Sequence, residues 1–250
     1  MNGIIVNADD FGMSSSVNRA IIEAFKRNWI STTTIMSNMP GYEEATEFIE
    51  QYKLFDRIGI HLNLTEGNPL TSGILKEKRF CSESKQLTRN SNYRNLTYSE
   101  KIAVVKELQA QVNKCLSSGI TPSHIDSHHH IHHLMEVGRL FWHIAVKNKI
   151  PSVRLFPNWG QLSWKRKIHG RYYNLFLKSK KLATTKYFCE IRSVTPDLLH
   201  VHHPIEIMVH PCLNHEGKLI NYIHGENLEY LIKKHLPNIK LTTYARLNTR

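Results

Sequence analysis

Residues 4–12 read Ile4-Ile5-Val6-Asn7-Ala8-Asp9-Asp10-Phe11-Gly12. The first five read as a buried strand. Two aspartates and a glycine follow at the C-terminal end of that strand. Ser14, Ser15 or Ser16 can then cap a helix in which Val17, Ala20, Ile21, Ala24 and Phe25 recur at helical spacing. Strand, acidic turn and helix make one βα unit.

The unit recurs along the chain. Residues 32–36 are β-branched and apolar enough for a second strand, and Tyr42, Ala45, Phe48, Ile49 and Tyr52 mark a second helix. Residues 58–64, containing Gly59, His61 and Asn63, make a third strand that again ends in polar residues. A long polar stretch near 66–96 interrupts the rhythm, the length expected of a lid, a binding loop or a disordered segment. Thr97-Tyr98-Ser99-Glu100 has capping-box spacing and opens a helix that Gly119 should close. Further strands are expected at 152–156, 187–191, 205–210 and 239–244. Between them come helices built on Leu134, Val137, Leu140 and Phe141, on 164–181, after Thr195-Pro196-Asp197, and on Leu228, Leu231 and Ile232. The alternation predicts an α/β fold: one domain over 1–250, a distorted (β/α)7-8 TIM-like barrel with a parallel sheet. No Gly-x-Gly-x-x-Gly turn argues for an open dinucleotide-binding sheet.

Between two of the helical patterns lies Pro-Ser-His-Ile-Asp-Ser-His-His-His-Ile-His-His at 122–133, which holds six of the sixteen histidines. Its mid-chain position and the interleaved Asp126 separate it from a terminal tag. A strand period of two would put His124, Asp126, His128, His130 and His132 on one face. Imidazoles beside a carboxylate suit a divalent metal, so the stretch reads as half of a metal site. No cysteine pair completes a closed tetrahedral zinc site, and the other ligands must come from elsewhere.

Composition narrows the class. The chain has 250 residues, no run of 18 apolar residues, and a strand that begins at Ile4, so a cytoplasmic protein without signal peptide or membrane span is expected. Cys81, Cys115, Cys189 and Cys212 are far apart and should be reduced thiols. Cys212 is a weak candidate for a nucleophile beside His210. The net charge of +12 is concentrated: residues 147–192 hold twelve Lys and Arg against Glu190 alone, a balance of +11 that leaves +1 for the rest. A basic, aromatic segment near 157–186 therefore stands apart from the surface in general.

In parallel barrels the reactive groups gather at the C-terminal ends of strands. Asp9 and Asp10, His61, His128 and His130, and His210 all fall at such ends. Two histidines and one carboxylate leave positions open on a divalent ion, which activates water and polarises a carbonyl. An imidazole nearby can protonate a leaving amine. Adjacent residues on an extended strand point opposite ways, so Asp9 and Asp10 should have different roles. Spacing alone does not choose between His128 and His130.

The segments Ile-Val-Asn-Ala-Asp-Asp-Phe-Gly at 5–12, Ser-Thr-Thr at 31–33, Gly-Ile-His-Leu-Asn-Leu-Thr-Glu-Gly-Asn-Pro-Leu at 59–70, Pro-Ser-His-Ile-Asp-Ser-His-His-His-Ile-His at 122–132 and Glu-Ile-Met-Val-His-Pro at 206–211 resemble the YdjC-like carbohydrate deacetylases. That family includes chitooligosaccharide and hopanoid-linked deacetylases. The resemblance implies a distorted barrel that removes an acetyl group from an N-acetylated amino sugar or glycan. It implies a divalent metal, commonly magnesium, held by Asp10, His61 and His128, with Asp9 as base and His210 as general acid. Zinc and manganese suit the same donors. Asp126, His130, Asn63 and Glu206 become candidates for support behind the ligands or contact with substrate. Cys212 stands where the family usually continues with glycine after His-Pro, and the segment near 159–181 matches no family motif.

Other readings compete. Two histidines and a carboxylate also describe ferrous oxygenases, and a non-catalytic, metal-dependent sugar-binding protein would need the same ligands. The basic segment suggests a lipid-linked or anionic glycan, or peripheral membrane contact through 164–181. It carries no nucleic-acid motif, and nucleic acid is not expected as a partner. A homodimer is compatible with the sequence.

Overall fold

A computed structural model describes residues 3–90 and 92–248, with the side chain of Asn248 excepted. In chain order the elements begin β1 (Ile4–Phe11), α1 (Ser15–Lys26), β2 (Thr32–Ile35), α2 (Tyr42–Gln51), β3 (Ile58–Leu62), α3 (Tyr98–Ser117), β4 (Ile125–Ser127) and α4 (Met135–Lys147). They continue with α5 (Trp164–Ser179), β5 (Tyr187–Glu190), α6 (Pro196–Leu199), β6 (Ile205–Val209), β7 (Pro211–Leu213), β8 (Leu219–Asn221), β9 (Glu226–Asn227), α7 (Leu228–His235) and α8 (Tyr244–Asn248).

β1 is buried at every position and lies at the centre of a curled, six-stranded parallel sheet in the order β4-β3-β2-β1-β6-β5. Ile4, Val6 and Ala8 join the hydrophobic core, whereas Asn7 and Asp9, on the other face, are buried among polar partners: the Asn7 amide donates to Asp9 and Thr34 and its carbonyl accepts from Thr32. The helix signals read from the sequence are present: Ser14 accepts a hydrogen bond from the Val17 N–H, Thr97 and Glu100 form a full capping box, and Thr195 caps α6 ahead of Pro196. Each offsets donors that the first helical turn leaves unpaired.

The sheet has the curvature of a TIM-like barrel, but fewer regular strands than the seven or eight expected. Residues 152–156 form only one bridge, Val153 with Ile125. Pro151 and Pro157 flank that stretch and cannot donate to a ladder. Even so, the segment joins the two sheet edges: the Arg154 N–H donates to the Ile125 carbonyl at 3.1 Å, and the Asn158 N–H donates to Phe188 on β5 at 3.2 Å. The strand expected at 239–244 is likewise reduced to a bridge between Leu241 and Ile4, because α8 begins at Tyr244. An antiparallel sheet, β7-β8-β9, follows β6 in a stretch to which the sequence pattern assigns no strand. Strands of two or three residues are too short to show a period.

The stretch near 66–96 is fastened to α3. Both Glu107 carboxylate oxygens are used, accepting from the Leu70 and Thr71 N–H groups and from the Thr71 hydroxyl at 2.7–3.0 Å. Arg79 donates to Glu100 at 2.7 Å.

Candidate active site

The end of β1 sets the geometry. Asp10 has φ 71°, and the pairing with β2 slips between Ala8 and Phe11. Such a bulge re-aims side chains that would otherwise face opposite sides. Both aspartates therefore reach the same region with different partners, Asp9 meeting Arg154 and Asp10 meeting His61 and His128.

Asp10 is fully buried and forms the floor. Its Oδ1 lies 3.1 Å from His61 Nε2 and 2.8 Å from His128 Nδ1, and its Oδ2 accepts from the Tyr222 hydroxyl at 2.5 Å. The other nitrogen of His61, Nδ1, is 2.6 Å from Asp126 Oδ1. A carboxylate behind an imidazole fixes the ring and leaves the opposite nitrogen free to act as a ligand. His128 Nε2 faces Glu66 Oε2 at 3.1 Å. Ligand atoms of Asp10, His61 and His128 lie within 4.8 Å of one another, as do those of Glu66, His128 and His129 and those of Asp9, His61 and Asp126. One carboxylate and two imidazoles form a donor set that fits a divalent cation.

Asp9 belongs to a second, linked cluster around Arg154. The guanidinium is fully buried and meets Asp9 through Nη1–Oδ2 at 2.6 Å and Nη2–Oδ1 at 2.7 Å; it also meets Asp126 Oδ2 at 2.6 Å and Glu206 Oε1 at 2.8 Å. Glu206 further accepts from the Tyr244 hydroxyl at 2.5 Å. His210 is set at the start of the antiparallel sheet, its N–H donating to Asn221 Oδ1 at 2.7 Å. Its Nε2 lies 3.8 Å from Asp9 Oδ2, while Nδ1 is buried with no protein partner among the described residues.

Burial disfavours every charge here, and the neighbours decide which survive. For Asp9 the Arg154 guanidinium outweighs burial and holds the carboxyl well below its usual range. His128 and His61 do the same for Asp10. The Asp126 and Asp10 carboxylates overcome burial of His61 and raise it to about 10. Glu206 is pushed up to about 7 by burial despite Arg154. His210 is lowered, chiefly by burial, and His130 falls to about 3 through burial and the Arg154 charge.

Asp9, His61, His128, His130 and His210 line one cavity of about 460 Å³, together with Glu66, Arg89, Tyr222 and others. Asp10 sits just beneath it. Asp126 and Glu206 stand behind this wall, reaching it through His61 and Arg154. Asn63 also lies outside: its side-chain amide donates to the Glu66 carbonyl at 2.7 Å and so shapes the loop that carries Glu66. Cys212 does not line the cavity; its sulfur is 3.6 Å from the Ser16 hydroxyl. All four cysteines are free.

The expected single histidine face does not form. β4 ends at Ser127, and His129 and His130 both have φ 53° in a tight turn. His132 consequently points into the core, 2.5 Å from the Ser127 hydroxyl, and His124 is buried against Tyr244 with ring centroids 3.9 Å apart. Arg154, Tyr222 and Glu66 had not been singled out from the sequence. Arg154 falls in the strand expected at 152–156 and counts there only toward the surplus charge of residues 147–192, yet its side chain is fully buried against three carboxylates.

A curled parallel sheet with buried carboxylates and imidazoles at the C-terminal ends of its strands defines the class. Within it, the chain belongs to the YdjC-like protein family, whose pattern matches residues 3–239. It is 32% identical over 236 residues to the carbohydrate deacetylase of Halalkalibacterium halodurans, covering 91% of this chain and 93% of that one. A carbohydrate deacetylase of Clostridium beijerinckii is 36% identical over 148 residues, covering 59% of this chain and 58% of the other. Among solved structures, a protein of Enterococcus faecalis V583 with a provisional description as a cellobiose-phosphate cleavage protein superposes with TM-score 0.75 over 99% of both chains at 23% identity, a likeness of fold.

Proposed function

We propose that this chain is a carbohydrate deacetylase that hydrolyses the amide of an N-acetylated amino sugar or glycan, using a divalent cation held by Asp10, His61 and His128. The observation that carries the reading is the convergence of two imidazoles on Asp10 Oδ1 at 2.8 and 3.1 Å beside a cavity, with His61 backed by Asp126. Bound there, a divalent cation would supply the Lewis acidity that activates water and polarises the acetamide oxygen.

The chain's own groups account for the protons. Arg154 keeps Asp9 ionised and oriented, so its carboxylate can accept a proton from the attacking water. Its low proton affinity keeps that proton from resting there, and His210, 3.8 Å away and neutral before reaction, is placed to receive it. His210 then delivers a proton to the amine nitrogen as the carbon–nitrogen bond breaks, and acetate and the free amino sugar leave. The resemblance points to magnesium. Two imidazoles are softer donors than magnesium prefers, which makes zinc and manganese the competing ions.

The test is acetate release from N-acetylated sugars, from monosaccharide and chitobiose to lipid-linked glycans, by protein stripped with chelator and resupplied with magnesium, manganese or zinc. Metal-dependent release that His128→Ala abolishes is expected. Cation binding that depends on His128 without acetate from any sugar would leave a sugar-binding protein instead.

A further inference from the structure

Helix α5 is apolar on two sides. One side, Gly170, Tyr173 and Leu177, packs into the core. The other carries Trp164, Ile168, Tyr172 and Leu175, which recur one helical turn apart and are 67, 50, 70 and 53% exposed. A surface helix needs only one apolar face to hold its place. The second face is therefore left over from folding. Residues 164–181 contain seven Lys and Arg and no acid. At helical spacing Lys167, Arg171 and Lys178 form a row beside the exposed apolar stripe, and none of them is in an ion pair among the described residues.

That basic row also lines a cleft of about 1090 Å³, which includes Trp159 and the acids Glu190 and Asp197. Glu190 and His224, joined at 2.8 Å, belong to the walls of both this cleft and the candidate active-site cavity. The exposed stripe and the reactive cavity are thus connected along one surface.

We propose that this face of α5 docks the protein onto an anionic lipid surface. The apolar stripe would enter the boundary between headgroups and acyl chains, and the basic row would meet the phosphates. Charge selects this occupant. A second copy would bring the same cations face to face, and a purely electrostatic partner leaves tryptophan, isoleucine and leucine without a use. No helix among the described residues is long and apolar enough to cross a membrane. Docking would turn the mouth of the basic cleft toward the headgroups.

Sedimentation of the full chain with phosphatidylcholine vesicles, with and without phosphatidylglycerol, tests the proposal without any turnover, so its failure is separate from failure of the deacetylase reading. Partition should require phosphatidylglycerol and weaken by roughly fivefold for each cation reversed in Lys167→Glu, Arg171→Glu and Lys178→Glu. The combined Trp164→Ser, Ile168→Ser and Tyr172→Ser variant changes only exposed residues outside both cavities. It should lose about tenfold or more of vesicle binding while acetate release from a small soluble sugar is unchanged. Partition indifferent to phosphatidylglycerol, or unaffected by the serine variant, overturns the proposal. So does capture by heparin without vesicle binding, which would give the face to an acidic macromolecule. A dimer in light scattering that the serine variant dissolves would give it to a second copy and equally overturn the proposal.

Discussion

Arg154 grips Asp9 with both terminal nitrogens, at 2.6 and 2.7 Å, although 145 residues separate them in the chain. The same guanidinium is the cation shared by Asp126 and Glu206. Removing one partner from a buried charge cluster leaves the others uncompensated, at about 3–5 kcal/mol. Arg154→Met should therefore lower the unfolding free energy measured in urea by about 3–5 kcal/mol. Arg154→Lys keeps the charge but loses the fork, so it should destabilise less while reducing turnover by about a hundredfold through misplacement of Asp9. Equal turnover in Arg154→Lys and the parent would show that the orientation of Asp9 is irrelevant.

The proposed ligand and proton-transfer roles separate in two measurements. His128→Ala and Asp10→Asn should lose both cation binding and acetate release. His210→Asn should keep the cation, read by calorimetry, and lose about 100-fold or more in turnover. Tyr222→Phe removes the hydroxyl that donates to Asp10 Oδ2 and should weaken cation affinity by about tenfold. Loss of the cation in His210→Asn would place that histidine among the ligands instead.

Four buried histidines make the fold sensitive to acid. His124, His130, His132 and His133 are held below their ordinary values, first by burial, and His130 falls to about 3. The folded chain thus binds fewer protons than the unfolded chain below about pH 6.5, and stability falls as pH decreases through that window. Each such histidine contributes a slope of about 1.4 kcal/mol per pH unit. Urea midpoints between pH 6.5 and 4.5 should show the decline, and His133→Gln should reduce its slope by one proton. An unchanged slope would mean that His133 is charged in the folded state.

Gly59 tests how tightly β3 meets β4. A methyl group there would run into the ring of His124, which is stacked on Tyr244 and has no room to retreat. Gly59→Ala should cost about 1–3 kcal/mol by overpacking, visible as a lower melting temperature. Gly73→Ala, with no neighbour within 4 Å, is the matched control and should be nearly neutral.

Much of this was legible in one dimension. The buried strand at Ile4 to Ala8, the caps at Ser14, Thr97 and Thr195, and the polar residues at strand ends all follow from local patterns. His61, His128 and His210 could be placed at one mouth because a parallel sheet aligns the C-terminal ends of its strands, whatever lies between them. Alternation misled at His132, since the period of two holds only while the backbone stays extended, and at His129 and His130 it turns.

By itself the sequence determined the βα alternation, the strands that end in acids and imidazoles, and the one segment that holds nearly all the surplus charge. Only the tertiary structure decided that Arg154, from that segment, is the buried partner of Asp9, Asp126 and Glu206. It also decided that Tyr222 reaches Asp10 from the antiparallel sheet. Local periodicity reports which face of an element is buried. Which charges meet there depends on how residues 152–158 join the sheet edges and where the chain after β6 folds back, and contacts between distant segments impose both.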